Sequence, residues 1–176
     1  MKWRSDYFPR DDRVHFAGEA SRIAGNREIF GMDGGFERVF TAGWGDMDFN
    51  GHMRNTAYLD LSGTVRMMYF EACGFSVGEF ARLRFGPVIF RDDIEYLKEI
   101  RLLEQVRVTL ELAGLGGNGT RFRVRNRFFS EDGRPAAVVT SIGGWLNLEN
   151  RKLAPPPDAL AEALRGLPRA EDFADL

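Results

Sequence analysis

The 176-residue sequence has a single cysteine, Cys73, and that scarcity excludes an internal disulfide and any cysteine-rich metal site. Long apolar runs are missing too. No segment approaches the length of a membrane-spanning helix, and the opening residues 1–7 have none of the apolar stretch that directs a chain to secretion. Nor is there an excess of one charge: 24 Lys and Arg against 26 Asp and Glu leave a formal net charge of -2. So weak a field draws in neither nucleic acid nor an anionic membrane. Repeats and low-complexity tracts are absent. The expectation is a cytoplasmic protein with no nucleic-acid or membrane partner, in which any bound anion is captured by local groups.

What is present describes one ordinary globular domain, 44% hydrophobic and 28% charged, with enough chain to bury a core. Residues 1–35 are punctuated by Pro9 and by glycines at 18, 25, 31, 34 and 35, and read as an N-terminal arm. Its Trp3, Tyr7, Phe8, Phe16, Ile29 and Phe30 are costly to leave in water, so the arm is expected to be partly ordered by packing. A strand with bulky Phe36, Phe40 and Trp44 follows. After it, residues 56–72 carry Tyr58, Leu61, Val65, Met68 and Ala72 at three- and four-residue spacing, with Leu59, Met67 and Phe70 on other faces. That predicts a long helix enclosed on more than one side, with Asn55 or Thr56 as N-cap and Gly74 just past its end. Cys73, among Met67, Met68, Phe70 and Phe75, reads as a small apolar core residue.

Beyond the Gly86-Pro87 break the pattern turns to period two. Strands are expected over 88–100 with a bend at 91–93, over 106–113, over 121–129 and over 135–148, joined by a Gly- and Asn-rich hairpin at 114–119 and a turn at 131–133. A tail over 154–176 holds one short, peripheral helix and a frayed acidic end. Strand, long helix, then four strands is an α+β layout in which a mainly antiparallel sheet wraps around one central helix.

Between the first strand and the helix lies Asp46-Met47-Asp48-Phe49-Asn50-Gly51-His52-Met53-Arg54-Asn55. Two carboxylates, a carboxamide, an imidazole and a helix N-terminus share ten residues, a grouping that is expensive to shield from water without a purpose. Asp46 reads as structural, tying the loop through side-chain bonds to backbone amides. The start of the motif also copies an EF-hand loop, but its twelfth position is Ala57 and a strand precedes it, so calcium is excluded and no metal or other cofactor is expected.

An aromatic strand followed by Asp-x-Asp-x-x-Gly-His-x-x-Asn-x-x-Tyr, an enclosed helix and an antiparallel sheet resembles the hotdog-fold thioesterases. The type is that of 4-hydroxybenzoyl-CoA thioesterase and the bacterial acyl-CoA thioesterases, and the motif is similar also to that of plant acyl-ACP thioesterases. The resemblance covers residues 36–148 and implies a hotdog domain over 36–153. It implies hydrolysis of an acyl-CoA or acyl-ACP thioester, with Asp48 as nucleophile or general base and the Asn55 backbone N–H as oxyanion donor. From the plant branch it implies roles for Asn50, His52 and Glu99, the last in the segment Ile94-Glu95-Tyr96-Leu97-Lys98-Glu99. Arg54 departs from the asparagine usual in these motifs. Homodimers or homotetramers with sites at the subunit interface are implied, as the open edges of a curled sheet also suggest.

Two other readings compete: a non-catalytic acyl-binding or assembly module, and a hotdog enoyl-CoA hydratase, whose histidine comes one residue later than His52. Arg121, Arg123, Arg125 and Arg127 share one strand face, either paired with acids such as Glu111 or meeting the phosphates of CoA. Tyr58, Phe70, Phe75, Phe85 and Trp145 are core or acyl-pocket residues.

Overall fold

The computed structural model describes residues 35–176; all of the expected N-terminal arm except Gly35 lies outside them. The fold is the α+β hotdog arrangement, a curled, mainly antiparallel sheet around a long helix. In chain order the elements are β1 (Phe36–Thr41), α1 (Asn55–Ala72), α2 (Val77–Leu83), β2 (Phe85–Tyr96), β3 (Gln105–Leu115), β4 (Arg121–Phe129), β5 (Pro135–Asn147), β6 (Lys152–Leu153), α3 (Asp158–Arg165) and β7 (Arg169–Asp175). The strands lie in the order β1-β3-β4-β5-β2, with β6 added to β5 and β7 running parallel to β3. Among the described residues no helix is long and apolar enough to cross a membrane.

The core follows from the period-two pattern. Val106, Val108, Leu110 and Leu112 of β3, Phe122, Val124 and Phe128 of β4, and Ala137, Val139 and Trp145 of β5 are buried on the face that meets α1. Ring contacts orient the helix: Tyr58 meets Phe128 edge-on at 5.2 Å near its start, and Phe70 meets Trp145 at 5.4 Å near its end. The helix therefore runs in the sense of β5. It stops where Gly74, at φ 91°, takes the left-handed position that a side chain resists.

Several expectations are corrected. The N-cap of α1 is Arg54, so Asn55 is the first helical residue. The buried face of α1 is Ala57, Tyr58, Ser62, Val65, Arg66, Tyr69 and Phe70, and Met68 is exposed. Among the described residues the sheet covers this helix on one side. The short α2 was not anticipated; Ser76 caps it by accepting from the Glu79 amide, and Phe80 anchors it. β2 is one strand through Arg91–Asp93, because an irregularity between Ile89 and Arg91 absorbs the bend, and it contains Gly86 and Pro87. Proline is tolerated there because β2 lies at an edge of the sheet.

The tail is not frayed. Leu160 and Leu164 of α3 are fully buried, and β7 takes the β3 edge beyond the point where β1 leaves it. Asp172 holds it there through two hydrogen bonds from Arg125, at 2.7 and 2.8 Å. Three of the four arginines on this face of β4 thus meet protein partners: besides Arg125, Arg127 pairs with Glu111, and Arg123 donates to the carbonyls of Ala113 and Asp172.

Candidate active site

The loop from β1 to α1 folds on itself by short-range bonds. A 3-10 turn, Trp44–Asp46, opens it, and Asp46 accepts from the Gly43 amide at 2.8 Å, the structural role its position suggested. The Arg54 amide donates to the Asp46 carbonyl at 2.7 Å, and Met47 and Met53 bridge in antiparallel fashion. Arg54 reinforces this stem, its side chain donating to the Gly45 carbonyl and to the Thr56 hydroxyl. At the tip, the Asp48 amide donates to the His52 carbonyl at 2.8 Å, and Gly51, at φ 76°, supplies the left-handed residue such a reversal needs.

The carboxylate of Asp48 is pinned inside this tip. Its Oδ1 accepts from the amides of Asn50 at 2.8 Å and His52 at 3.2 Å. These amides, that of His52 foremost, hold the Asp48 pKa below the ordinary 3.8, and the nearby His52 ring acts in the same direction. The group is therefore ionised at neutral pH.

Glu99 arrives from the other side of the chain. The Met53 amide donates to the Ile100 carbonyl at 2.8 Å and His52 bridges Arg101, so the segment after β2 lies against the loop tip. Arg101 donates to Glu99 at 2.9 Å and is the main reason the Glu99 pKa is depressed, with His52 the second. His52 thus sits within electrostatic reach of both Asp48 and Glu99. Asp48, Asn50, His52 and Glu99 form one cluster.

Asn55 stands slightly apart. Its Oδ1 accepts from the Thr56 amide at 2.9 Å, and the Ala57 amide donates to the Arg54 carbonyl. The backbone N–H of Asn55 has no acceptor among the described residues, as expected at a helix start. Beside Asp48 opens a hollow of about 390 Å³ lined by Trp44, Met47, Asp48, Phe49, Gly51 and Leu102, and Asn55 is not in that lining. The rings of Trp44 and Phe49 are 84% and 97% exposed. Sequence reasoning assigned Trp44 to the strand and overlooked Phe49, Arg101 and Leu102; two large aromatic side chains flanking a polar turn were the available signal for Trp44 and Phe49, and nothing local marked Arg101 and Leu102.

A second polar grouping, also unforeseen, lies under α1. Ser62 and Arg66 face the sheet, and the Ser141 hydroxyl on β5 donates to Asp92 of β2 at 2.6 Å. Arg66 is only 8% exposed, and among the described residues its guanidinium has neither a hydrogen bond nor an ion pair. Burial lowers its pKa, an effect the Asp92 carboxylate opposes. The signal was a charged residue two turns after Tyr58 on the same stripe.

Residues 42–164 match the model of the thioesterase-like superfamily. The chain belongs to that superfamily. Solved structures of similar fold agree with the assignment. A thioesterase from Thermus thermophilus, in complex with coenzyme A and Zn, is 27% identical with a TM-score of 0.61, over 73% of this chain and 90% of that one. The 1,4-dihydroxy-2-naphthoyl-CoA thioesterase from Synechocystis is 16% identical with a TM-score of 0.67, over 75% and 96%. A Staphylococcus aureus protein in complex with CoA is 21% identical with a TM-score of 0.69, over 77% and 87%. No curated protein matches the sequence. Within the superfamily match fall the whole loop, Asn55 and Glu99.

Proposed function

We propose that this chain hydrolyses an acyl-CoA thioester to the free acid and CoA. Asp48 acts on the thioester carbonyl, either directly as nucleophile or by taking a proton from an attacking water. The Asn55 amide, at the positive end of α1, receives the negative charge that collects on the carbonyl oxygen. As the carbon–sulfur bond breaks, the pair of electrons leaves on sulfur, where the His52 ring steadies the thiolate. Asn50 holds the carboxylate or the water, and Glu99 orients His52.

The observation that carries the reading is a carboxylate held ionised by backbone amides, on a loop that ends directly at a helix whose first N–H has no acceptor among the described residues. CoA is favoured over acyl carrier protein because two of the similar structures are complexes with CoA. A homodimer or homotetramer is part of the proposal. Among the described residues β2 presents a long unpaired edge with Phe90 and Tyr96 about half exposed, and the loop presents Trp44 and Phe49 almost fully exposed; a second copy covers such surface.

Release of free thiol from short, long and aromatic acyl-CoAs tests this. Asp48→Asn is expected to lower kcat/KM by roughly 10²–10⁴-fold with little change in acyl-CoA affinity. Binding without turnover in the unmodified protein would instead favour the non-catalytic module, and hydration of crotonyl-CoA the hydratase.

A further inference from the structure

Tyr58, Ser62, Arg66 and Phe70 recur every four residues and form a ridge that winds slowly round the buried side of α1. Tyr58 lies on Phe128 and Phe70 on Trp145, which sets Ser62 and Arg66 over the rows between. Strand pairing identifies those rows: Ile94, Val139 and Asn126 in one, Asp92, Ser141 and Val124 in the other. Among the described residues three buried polar atoms in this layer lack a partner: Ser62 Oγ, Arg66 Nη1 and Asn126 Oδ1. Asp92 is exposed, and its Oδ1 already accepts from Ser141. A buried cation without a hydrogen-bonded anion is among the costliest groups a fold can retain.

A route to that cation exists. A hollow of about 520 Å³ runs along α1, lined by the apolar Leu59, Met67, Met68 and Val77, by Gly63 and Thr64, and by the exposed carboxylates of Asp60 and Glu71. A Cβ built on Gly63 would lie 3.9 Å from Arg66 Nη2, so only the width of a glycine separates hollow and guanidinium. The hollow begins about one turn after Asn55, where the thioester carbonyl is proposed to sit. We infer that this groove takes the acyl chain and that Arg66, reached past Gly63 with Ser62 beside it, binds a carboxylate at the chain's far end. The inference rests on the acyl-CoA reading and narrows it to thioesters of dicarboxylic acids. A planar guanidinium suits a carboxylate because two parallel N–H donors match its two oxygens.

The test uses the full-length protein and two non-hydrolysable thioethers, S-hexyl-CoA and its ω-carboxy analogue, with affinities read by calorimetry. The ω-carboxy compound is expected to bind roughly ten- to hundred-fold more tightly, the range of a hydrogen bond to a charged group. Arg66→Gln should erase that difference. Gly63→Leu, which keeps the charge and fills the approach, should erase it as well and covers the case in which Arg66→Gln fails to fold. Equal or weaker binding of the ω-carboxy compound to the unmodified protein overturns the inference, as does a preference that survives both substitutions. If Arg66→Gln breaks an oligomer apart, the carboxylate belongs to the partner subunit and the inference is again overturned. Hydrolysis of adipoyl-CoA and hexanoyl-CoA is followed in parallel. Absence of turnover with the thioether preference intact would sink the hydrolase reading and leave the carboxylate site standing.

Discussion

Replacing Gly143 by alanine probes the contact on which the shape of the sheet depends. Gly143 lies in β5 opposite Ile89, next to the irregularity that lets β2 bend. A Cβ there would come within 2.5 Å of the Val88 carbonyl oxygen and 2.9 Å of both Ile89 Cδ1 and Phe122 Cε2. The oxygen belongs to the backbone and cannot rotate away, so β2 must retreat from β5 by about 0.9 Å to restore an ordinary contact of 3.4 Å. Overpacking of this kind costs ~1–3 kcal/mol, against which the stiffer unfolded chain returns ~0.4–1 kcal/mol. A net loss of about 1.3 kcal/mol corresponds to a fall in Tm of roughly 3–5 °C for a chain of this size. Gly86→Ala is the control, since a Cβ there meets nothing within 4 Å. Thermal melts followed by circular dichroism decide the matter. A Gly143→Ala protein that melts within about a degree of the unmodified one would refute the claim that glycine is required by this approach.

Two predictions concern pH. Because amides of His52 and Asn50 hold the Asp48 carboxyl below 3.8, and the proposed chemistry needs it ionised, kcat/KM should stay level from neutrality down to about that pH and bend below it; an acid limb centred a unit or more higher would assign the activity to another group. Asp172 is depressed to about 2, chiefly by the Arg125 guanidinium. A depressed carboxyl stabilises the fold above its unfolded value of about 3.8 and loses that contribution as pH falls through its folded value. The Tm gap between the unmodified protein and Asp172→Asn should therefore be widest at neutral pH and close toward pH 2, as scanning calorimetry across pH would show; a gap independent of pH would deny the ion pair its role.

Local pattern made much of the fold legible. The alternation of Val106, Val108, Leu110 and Leu112, and of the arginines with Phe122, Val124 and Phe128, marks strands because a single core face selects every second residue. What the sequence hid depends on distant partners. β7 is a strand because Arg125, 47 residues away, receives Asp172, and no window around an acidic tail contains that information. The same holds at the site: Asp46 and Asp48 bond to amides two to four residues away and could be read from spacing, whereas Glu99 reaches His52 only because Met53 bonds to Ile100. Arg66 was obscured differently, since a helix scanned for apolar spacing passes over a charge lying on the buried stripe.

On the proposed reading the loop tip holds the reacting groups, but among the described residues their surroundings leave them open to water. Two unit charges 4 Å apart interact by about 1 kcal/mol in bulk water and about 4 kcal/mol at the effective dielectric of a partly dried site. A half-buried Asp48 and the N-terminus of α1 therefore exert, in the lone chain, only a fraction of the field that the proposed thioester cleavage calls for. Trp44 and Phe49, left almost wholly in water beside them, each stand to gain ~2–3 kcal/mol on being covered. Whatever covers those rings also expels water from around Asp48. On the proposed reading, association and catalysis are thus coupled through the same surface: the apolar side chains that drive a second copy onto the loop create the dielectric in which its carboxylate and its helix terminus become effective.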